Sequence, residues 1–375
     1  MDLGVTTTDR SSNPLFNANK LKLGSFAANI SYGGAMTTAA GTFQPTWPNV
    51  MEIADIVDSS GMEAMIPVAR WRGFGGKTEY NGSSYESFAW AAGIGGSTKR
   101  MSPVATCHVQ TMHPIVAAKQ STTIDHITNG RFTLNLVCGW FTNELEMFGA
   151  PMKEHDTRYD YAEEWITVAK LLWAGEDNFD FNGKFLTVKK GWHRPKPIQS
   201  PFPVLINAGA SKRGLDFAAK HCDVLFTVVG SFEEGRIEVD RLRKYAREKY
   251  GREILVWTNC YCVVGDTDAE AEAYLKYYVE EKGDWEAVQN YISILGVNSE
   301  TVPPHLIEHM KYHYVAGYGG FPMVGRADTI AERLKGLSDI GIDGVAFTFA
   351  RYKQDLTRLA QEVIPLLVKY GIRQA

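Results

Sequence analysis

Eight short apolar runs, each followed by a helical pattern, constrain this chain more than any other feature. They are LKLGSFAA (21–28), AMIPVA (64–69), SPVATCHV (102–109), RFTLNLVC (131–138), PVLINAG (203–209), CDVLFTVV (222–229), ILVWTNCYCVV (254–264) and DGVAFTFA (343–350). Most are apolar throughout rather than alternating, as expected for parallel strands covered by helices on both faces. Eight such units is the number that closes a (β/α)8 barrel, an α/β fold. The chain has 375 residues and is 45% hydrophobic, enough to bury such a core. No internal repeat, low-complexity tract or linker divides it, so 1–375 reads as one barrel domain.

Local signals punctuate the barrel pattern. The helix ending TIDHITNG stops at Asn129-Gly130, a glycine suited to a left-handed C-cap. Thr157 with Asp160, and Thr267 with Glu270, resemble capping boxes opening two helices. FDFNGKFLTV alternates around Asn182-Gly183, which predicts a hairpin with a type I′ turn. About 266–320 carries at least two helical patterns, longer than one crossover, and reads as an insertion over the barrel mouth. Residues 1–20 read as an arm-like amino terminus.

Several function classes are disfavoured. A formal net charge of −4 leaves no electrostatic footprint for nucleic acid or an anionic membrane. Five cysteines without a CxxC pair read as reduced thiols of a cytoplasmic protein. No signal peptide or bilayer-spanning run is visible. The run RWRGFGGKTEY (70–80) ends like a phosphate-binding loop, but the position that needs the first glycine is Trp71. GFGGKT, GIGGST and GYGGFP each lack the third glycine of a dinucleotide fingerprint. His305, His309 and His313 share one helical face, yet no HExxH glutamate or cysteine set completes a zinc site, so no metal is expected.

Barrel chemistry gathers where strands end at their carboxyl side. That rule singles out Arg70 after AMIPVA, Thr106 within SPVATCHV and Asn135 within RFTLNLVC. An amide between two leucines costs about 1–3 kcal/mol if buried unpaired, so Asn135 must bond to something. Taken alone, each also fits an ordinary strand or loop residue.

The joint pattern is more specific. TIDHITNGRFTLNLVCGWFTNELEMFG with HDTRYDYAEEW, INAGASKRGLDFAAKHCD and the closing VGRADTIAERLKGLSDIGIDGVAFTF resembles flavin-dependent monooxygenases of the bacterial luciferase-like family. The nearest resemblance is to the group containing alkanesulfonate, dimethyl sulfone and pyrimidine monooxygenases, and RGFGGKTE resembles the pyrimidine type.

The resemblance implies reduced FMN bound at the barrel mouth, O2 as co-substrate, and a separate NAD(P)H-dependent flavin reductase as partner. It assigns Ala69, Arg70, Asn135 and Glu144 to the flavin, and Arg158, Tyr159, Gly209 and Ser211 to its phosphate tail. Thr106, Asn135 and Arg70 become the catalytic candidates; Trp71, Arg72, Phe74, Lys77 and Trp140 become substrate candidates. In the pyrimidine-type pattern a lysine stands where this chain has Arg70, which keeps the charge and changes its geometry. The expected substrate is a small nitrogen heterocycle, hydroxylated or ring-opened, with small organosulfur compounds as the alternative. A deazaflavin-dependent hydride transfer is a further alternative. Family members are dimers or tetramers, so a homodimer or homotetramer is expected, and the insertion near 280–320 is expected to form a mobile lid.

Overall fold

In the computed structural model, which describes residues 9–150, 152–297 and 302–374, every one of the eight apolar runs forms a strand. The strands are β1 (Lys22–Phe26), β2 (Ala64–Ile66), β3 (Ser102–His108) and β4 (Thr133–Val137), then a surface hairpin of β5 (Phe179–Asn182) and β6 (Thr187–Gly191), and then β7 (Val204–Asn207), β8 (Val224–Phe226), β9 (Leu255–Val264), β10 (Phe321–Gly325) and β11 (Gly344–Thr348). Helices α1 (Trp47–Ser59), α2 (Ser87–Ser97), α3 (Pro114–Ile127), α4 (Thr142–Met147), α5 (His155–Ala174), α6 (Lys212–His221) and α7 (Phe232–Tyr250) alternate with them. After β9 come α8 (Asp268–Lys276), α9 (Trp285–Ile294) and α10 (Pro304–Gly317), and α11 (Ala327–Asp339) precedes β11. All barrel pairings are parallel, and the order β1-β2-β3-β4-β7-β8-β9-β11 closes on β1. No helix among the described residues is long and apolar enough to cross a membrane.

The extra strand, β10, was not expected. It pairs with Cys260–Val264 of β9, while β11 pairs with Trp257–Tyr261. Because both partners reach Cys260 and Tyr261, β10 must lie on the β9 edge that β8 has left. Pro322 hides it from a sequence reading, since proline cannot feed a ladder from both edges. Here only one edge is used, and the proline is tolerated.

Two local expectations need correction. The hairpin exists, but Asn182 pairs directly with Thr187 and Gly183 N donates to Leu186 O at 2.8 Å, so it turns at Lys184-Phe185, without the positive φ of a type I′ turn, rather than at Asn182-Gly183. Glu164 shapes it instead, its carboxylate accepting from the backbone N–H groups of Lys184, Phe185 and Leu186 at 2.6, 2.8 and 2.9 Å. Helix α5 begins at His155, ahead of Thr157, with no side-chain cap. The Thr267 cap does form, accepting from Glu270 N at 3.1 Å, and Gly130 is left-handed with φ 83°. Residues 1–8 of the expected arm lie outside the described residues. Arg10 pairs with Asp223 at 3.0 Å, and buried Asn13 donates to Phe132 O and Thr133 Oγ1, so this segment lies against the amino ends of the strands.

Inward-facing residues fill the barrel in layers, with Ala64, Ile66, Val104, Val204, Ile206, Val224, Trp257 and Ala346 forming one buried cluster. Trp257 is the largest of these and is fully buried. Gly344 lies opposite it in register, and a Cβ there would meet Trp257 Cε2 at 2.1 Å. The barrel therefore accommodates an indole only because its neighbour has no side chain. Gly344→Ala is expected to lower unfolding free energy by about 1–3 kcal/mol through overpacking, read as a lower urea midpoint; an unchanged midpoint would mean Trp257 has room to move.

Candidate active site

The carboxyl ends of the strands open onto a mouth whose floor is formed by Phe26, Asn135, Val137, Phe226 and Asn259, all only partly buried. Asn135 and Thr106 are register partners on adjacent strands. Asn135 Nδ2 donates to Thr106 Oγ1 at 3.1 Å, and Thr106 Oγ1 donates to Pro67 O at 2.7 Å. This chain fixes the orientation of the amide. Asn135 Oδ1 is buried without a partner among the described residues, an acceptor that a bound molecule would satisfy.

Arg70 enters from the loop after β2 and is nearly buried. Its Nη1 meets Glu144 Oε1 at 3.0 Å, with side-chain exposures of 3% and 1%. The same oxygen accepts from Trp71 N at 2.7 Å and Arg72 N at 3.2 Å, so one carboxylate sets the path of the chain as it leaves β2. The guanidinium lies over Phe74, Trp140 and Phe141 at 4.7, 5.3 and 5.4 Å. On the far side of the carboxylate, Glu144 Oε2 stands 3.6 Å from His108 Nδ1. Burial, and next the charge of Arg70, push the His108 pKa down to about 3, so the imidazole is neutral at ordinary pH.

A second group gathers at the amino end of α6. Ser211 caps that helix, its Oγ accepting from Gly214 N at 3.0 Å. Cβ atoms at Gly209 and Gly214 would fall 2.8 and 2.5 Å from Tyr159 Oη, so both glycines make room for the phenol. Arg158 donates to Gly139 O, and its buried Nε has no partner among the described residues. A helix amino terminus with a hydroxyl, a phenol and an arginine has the chemistry of an anion site.

The remaining candidates divide. Phe74 and Trp140 join the Arg70 cage, and Ala69 is buried beside it. Trp71 is 44% exposed and packs edge-on against Phe148. The Arg72 and Lys77 side chains are exposed. The GGKT run does something else: Thr78 N and Oγ1 both donate to Asp284 Oδ2 at 2.7 Å. Asp284 is the N-cap of α9, and a Cβ on Gly76 would come within 2.6 Å of its Oδ1. The glycines and threonine therefore dock the insertion onto the β2 loop. Tyr80, one of the aromatics expected near the mouth, is buried there; sequence reasoning missed His108, Asn81, Tyr291 and Tyr318, which reach this region from separate segments and share no spacing. Among the described residues, no group of three or more His, Cys, Asp or Glu is placed to hold a metal.

Residues 22–344 match the family described as luciferase-like monooxygenase. The chain belongs to that family. It is 30% identical over 322 residues to the FMNH(2)-dependent dimethylsulfone monooxygenase of Pseudomonas putida, covering 84% of this chain and 86% of the relative. It is 27% identical over 354 residues to pyrimidine monooxygenase RutA of Acinetobacter baylyi, covering 92% and 95%. The crystal structure of DmoA from Hyphomicrobium sulfonivorans superposes with a TM-score of 0.80 at 20% identity, over 94% and 88% of the chains. That last likeness concerns the luciferase-like fold alone.

The depressed His108 pKa has a consequence for stability. Below about pH 6.5 the unfolded chain binds a proton on this residue that the folded protein refuses until about pH 3. The contribution is fully present above pH 6.5 and is lost as pH falls through that window, at up to about 1.4 kcal/mol per pH unit for one proton. His193 and His221, both lowered to about 4 by burial, act in the same direction. His108→Gln is expected to flatten the acid limb of unfolding free energy by up to one proton in urea titrations. An unchanged slope would assign the effect to the other histidines.

Proposed function

We propose that the protein is the oxygenase of a two-component system, taking reduced FMN from a separate flavin reductase and using O2 to oxidise a small uncharged molecule. The unpartnered Asn135 Oδ1 on the floor of the mouth carries this reading. It is an acceptor suited to an N–H on the isoalloxazine edge, within reach of residues suited to the rest of the cofactor. Bound reduced flavin supplies the activation of dioxygen. The protein's part is to bind, orient and exclude water. Ser211, the α6 amino terminus and Arg158 would hold the phosphate, with Tyr159 alongside. Thr106 keeps the Asn135 amide turned so that its oxygen stays free for the ligand. Phe26, Val137 and Phe226 offer an apolar floor that keeps water from the reacting centre.

Glu144 holds Arg70 and the loop amides, so the charge of Arg70 is balanced within the protein. A neutral substrate suits such a chamber better than an anion. The preferred substrate is a nitrogen heterocycle, favoured by the pyrimidine-type relative and by the stacked rings of Phe74, Trp140 and Phe141. A small sulfone is the second reading, favoured by the dimethylsulfone-type relative. The α9–α10 segment is proposed as a lid, and a homodimer or homotetramer as the assembly.

Enzymatically reduced FMN with isotopic oxygen and either uracil, a pyridine, dimethyl sulfone or an alkanesulfonate tests this directly. Label entering a heterocycle supports the first reading, label entering the sulfone alone supports the second, and no label in any probe together with no affinity for FMN favours a deazaflavin hydride transfer. Arg158→Ala removes a charged donor worth about 1.5–3 kcal/mol, so FMN affinity is expected to fall about 10- to 100-fold. FMN titration followed by fluorescence reads this; unchanged affinity would remove Arg158 from the phosphate site.

A further inference from the structure

Tyr318 is singled out by neither the barrel rule nor the motifs. It follows α10 with φ 54° and ψ 30°, a left-handed conformation that costs a bulky residue about 1–3 kcal/mol. Such strain persists only where the surroundings impose it, and here they do. Gly319 N closes the helix end onto His313 O at 3.0 Å, and Asn259 Nδ2 donates to the Tyr318 carbonyl at 3.2 Å. The ring rests against Phe26 at 5.4 Å, Tyr80 at 6.1 Å and Tyr291 at 6.2 Å. Since Phe26 and Asn259 belong to the floor of the mouth, the phenol stands over it.

The hydroxyl has a buried donor. Asn81 Nδ2 donates to Tyr318 Oη at 2.7 Å from a residue that is itself buried and left-handed, with φ 59°. Burial raises the Tyr318 pKa; Arg70, Asn81 and Tyr80 oppose that rise without overcoming it, so the phenol keeps its proton. A phenol has one proton to give and two lone pairs to fill. Asn81 fills one lone pair. The neighbouring Tyr80 hydroxyl gives its own proton to Gly33 O at 3.1 Å, so the only hydroxyl beside the Tyr318 proton among the described residues is a weak phenolic acceptor, which a carbonyl or sulfonyl oxygen of a bound molecule would displace. The charge of nearby Arg70 is already matched by Glu144.

We propose that Tyr318 is a specificity-determining residue, whose phenol proton holds an acceptor oxygen of an uncharged substrate, a ring carbonyl or a sulfonyl. This rests on the oxygenation reading above. The insertion then has a chemical as well as a covering role, because α10 delivers the phenol to the mouth.

Tyr318→Phe tests the proposal in steady-state assays with reduced FMN, using uracil and dimethyl sulfone as separate probes. Losing one neutral hydrogen bond should raise KM for the accepted probe about 3- to 10-fold. The change in kcat should be smaller, and FMN affinity should stay as in the wild type. Asn81→Gly, compatible with the left-handed backbone, should raise KM in the same direction by less. Wild-type turnover with KM unchanged in both variants, or a loss confined to FMN affinity, overturns this inference alone. Wild-type protein that, with reduced FMN and labelled O2, puts no label into either probe overturns both readings.

Discussion

A single buried carboxylate organises the mouth of this barrel. Glu144 is 1% exposed, and one of its oxygens accepts from the Arg70 guanidinium and from two successive backbone amides. Leaving a buried charge without its partner costs about 3–5 kcal/mol, far more than the net worth of the pair itself. The geometry is therefore strongly held once formed: the chain must turn after β2 so that Trp71 and Arg72 present their N–H groups. That turn sends Phe74 beneath the guanidinium, against Trp140 and Phe141. This contact places the aromatic cage beside the end of β2.

The same loop carries the constraint outward. After Phe74 the chain needs left-handed backbone at Gly75 and Gly76, and Thr78 then reaches the N-cap of α9. Asn290 adds a bond to Phe74 O at 2.9 Å. The β2 loop and the α9 segment are thus joined by buried polar contacts, worth more than exposed ones because water cannot replace them. A displacement of α9 would carry the loop, and with it the cage around Arg70.

The eight barrel strands were legible because a parallel strand covered on both faces must be apolar at consecutive positions, and few other structures require that. Asn135 was legible for the complementary reason, a polar amide inside such a run. β10 was not, because Pro322 contradicts a strand unless one edge is free. The hairpin turn was misread because Glu164, distant in sequence, supplies acceptors that the Asn-Gly pair was expected to make unnecessary. Arg72 and Lys77 were read from the sequence as substrate candidates beside Arg70; their side chains are exposed, while Arg70 meets an inward carboxylate. His108 and Tyr318 carried no local signal, since their significance lies in partners from other segments.

By itself the sequence determined the barrel, the number of its strands and the family, since all three rest on patterns local to each run or on motifs preserved intact. Only the tertiary structure decided which charges are matched, which polar atoms are left open to a ligand and which rings form the cage. Those properties depend on distances between segments far apart in the chain, as with Arg70 and Glu144 or Asn81 and Tyr318. Hydrogen bonding and charge pairing act over a few ångströms, and only the closed barrel brings such residues within that range.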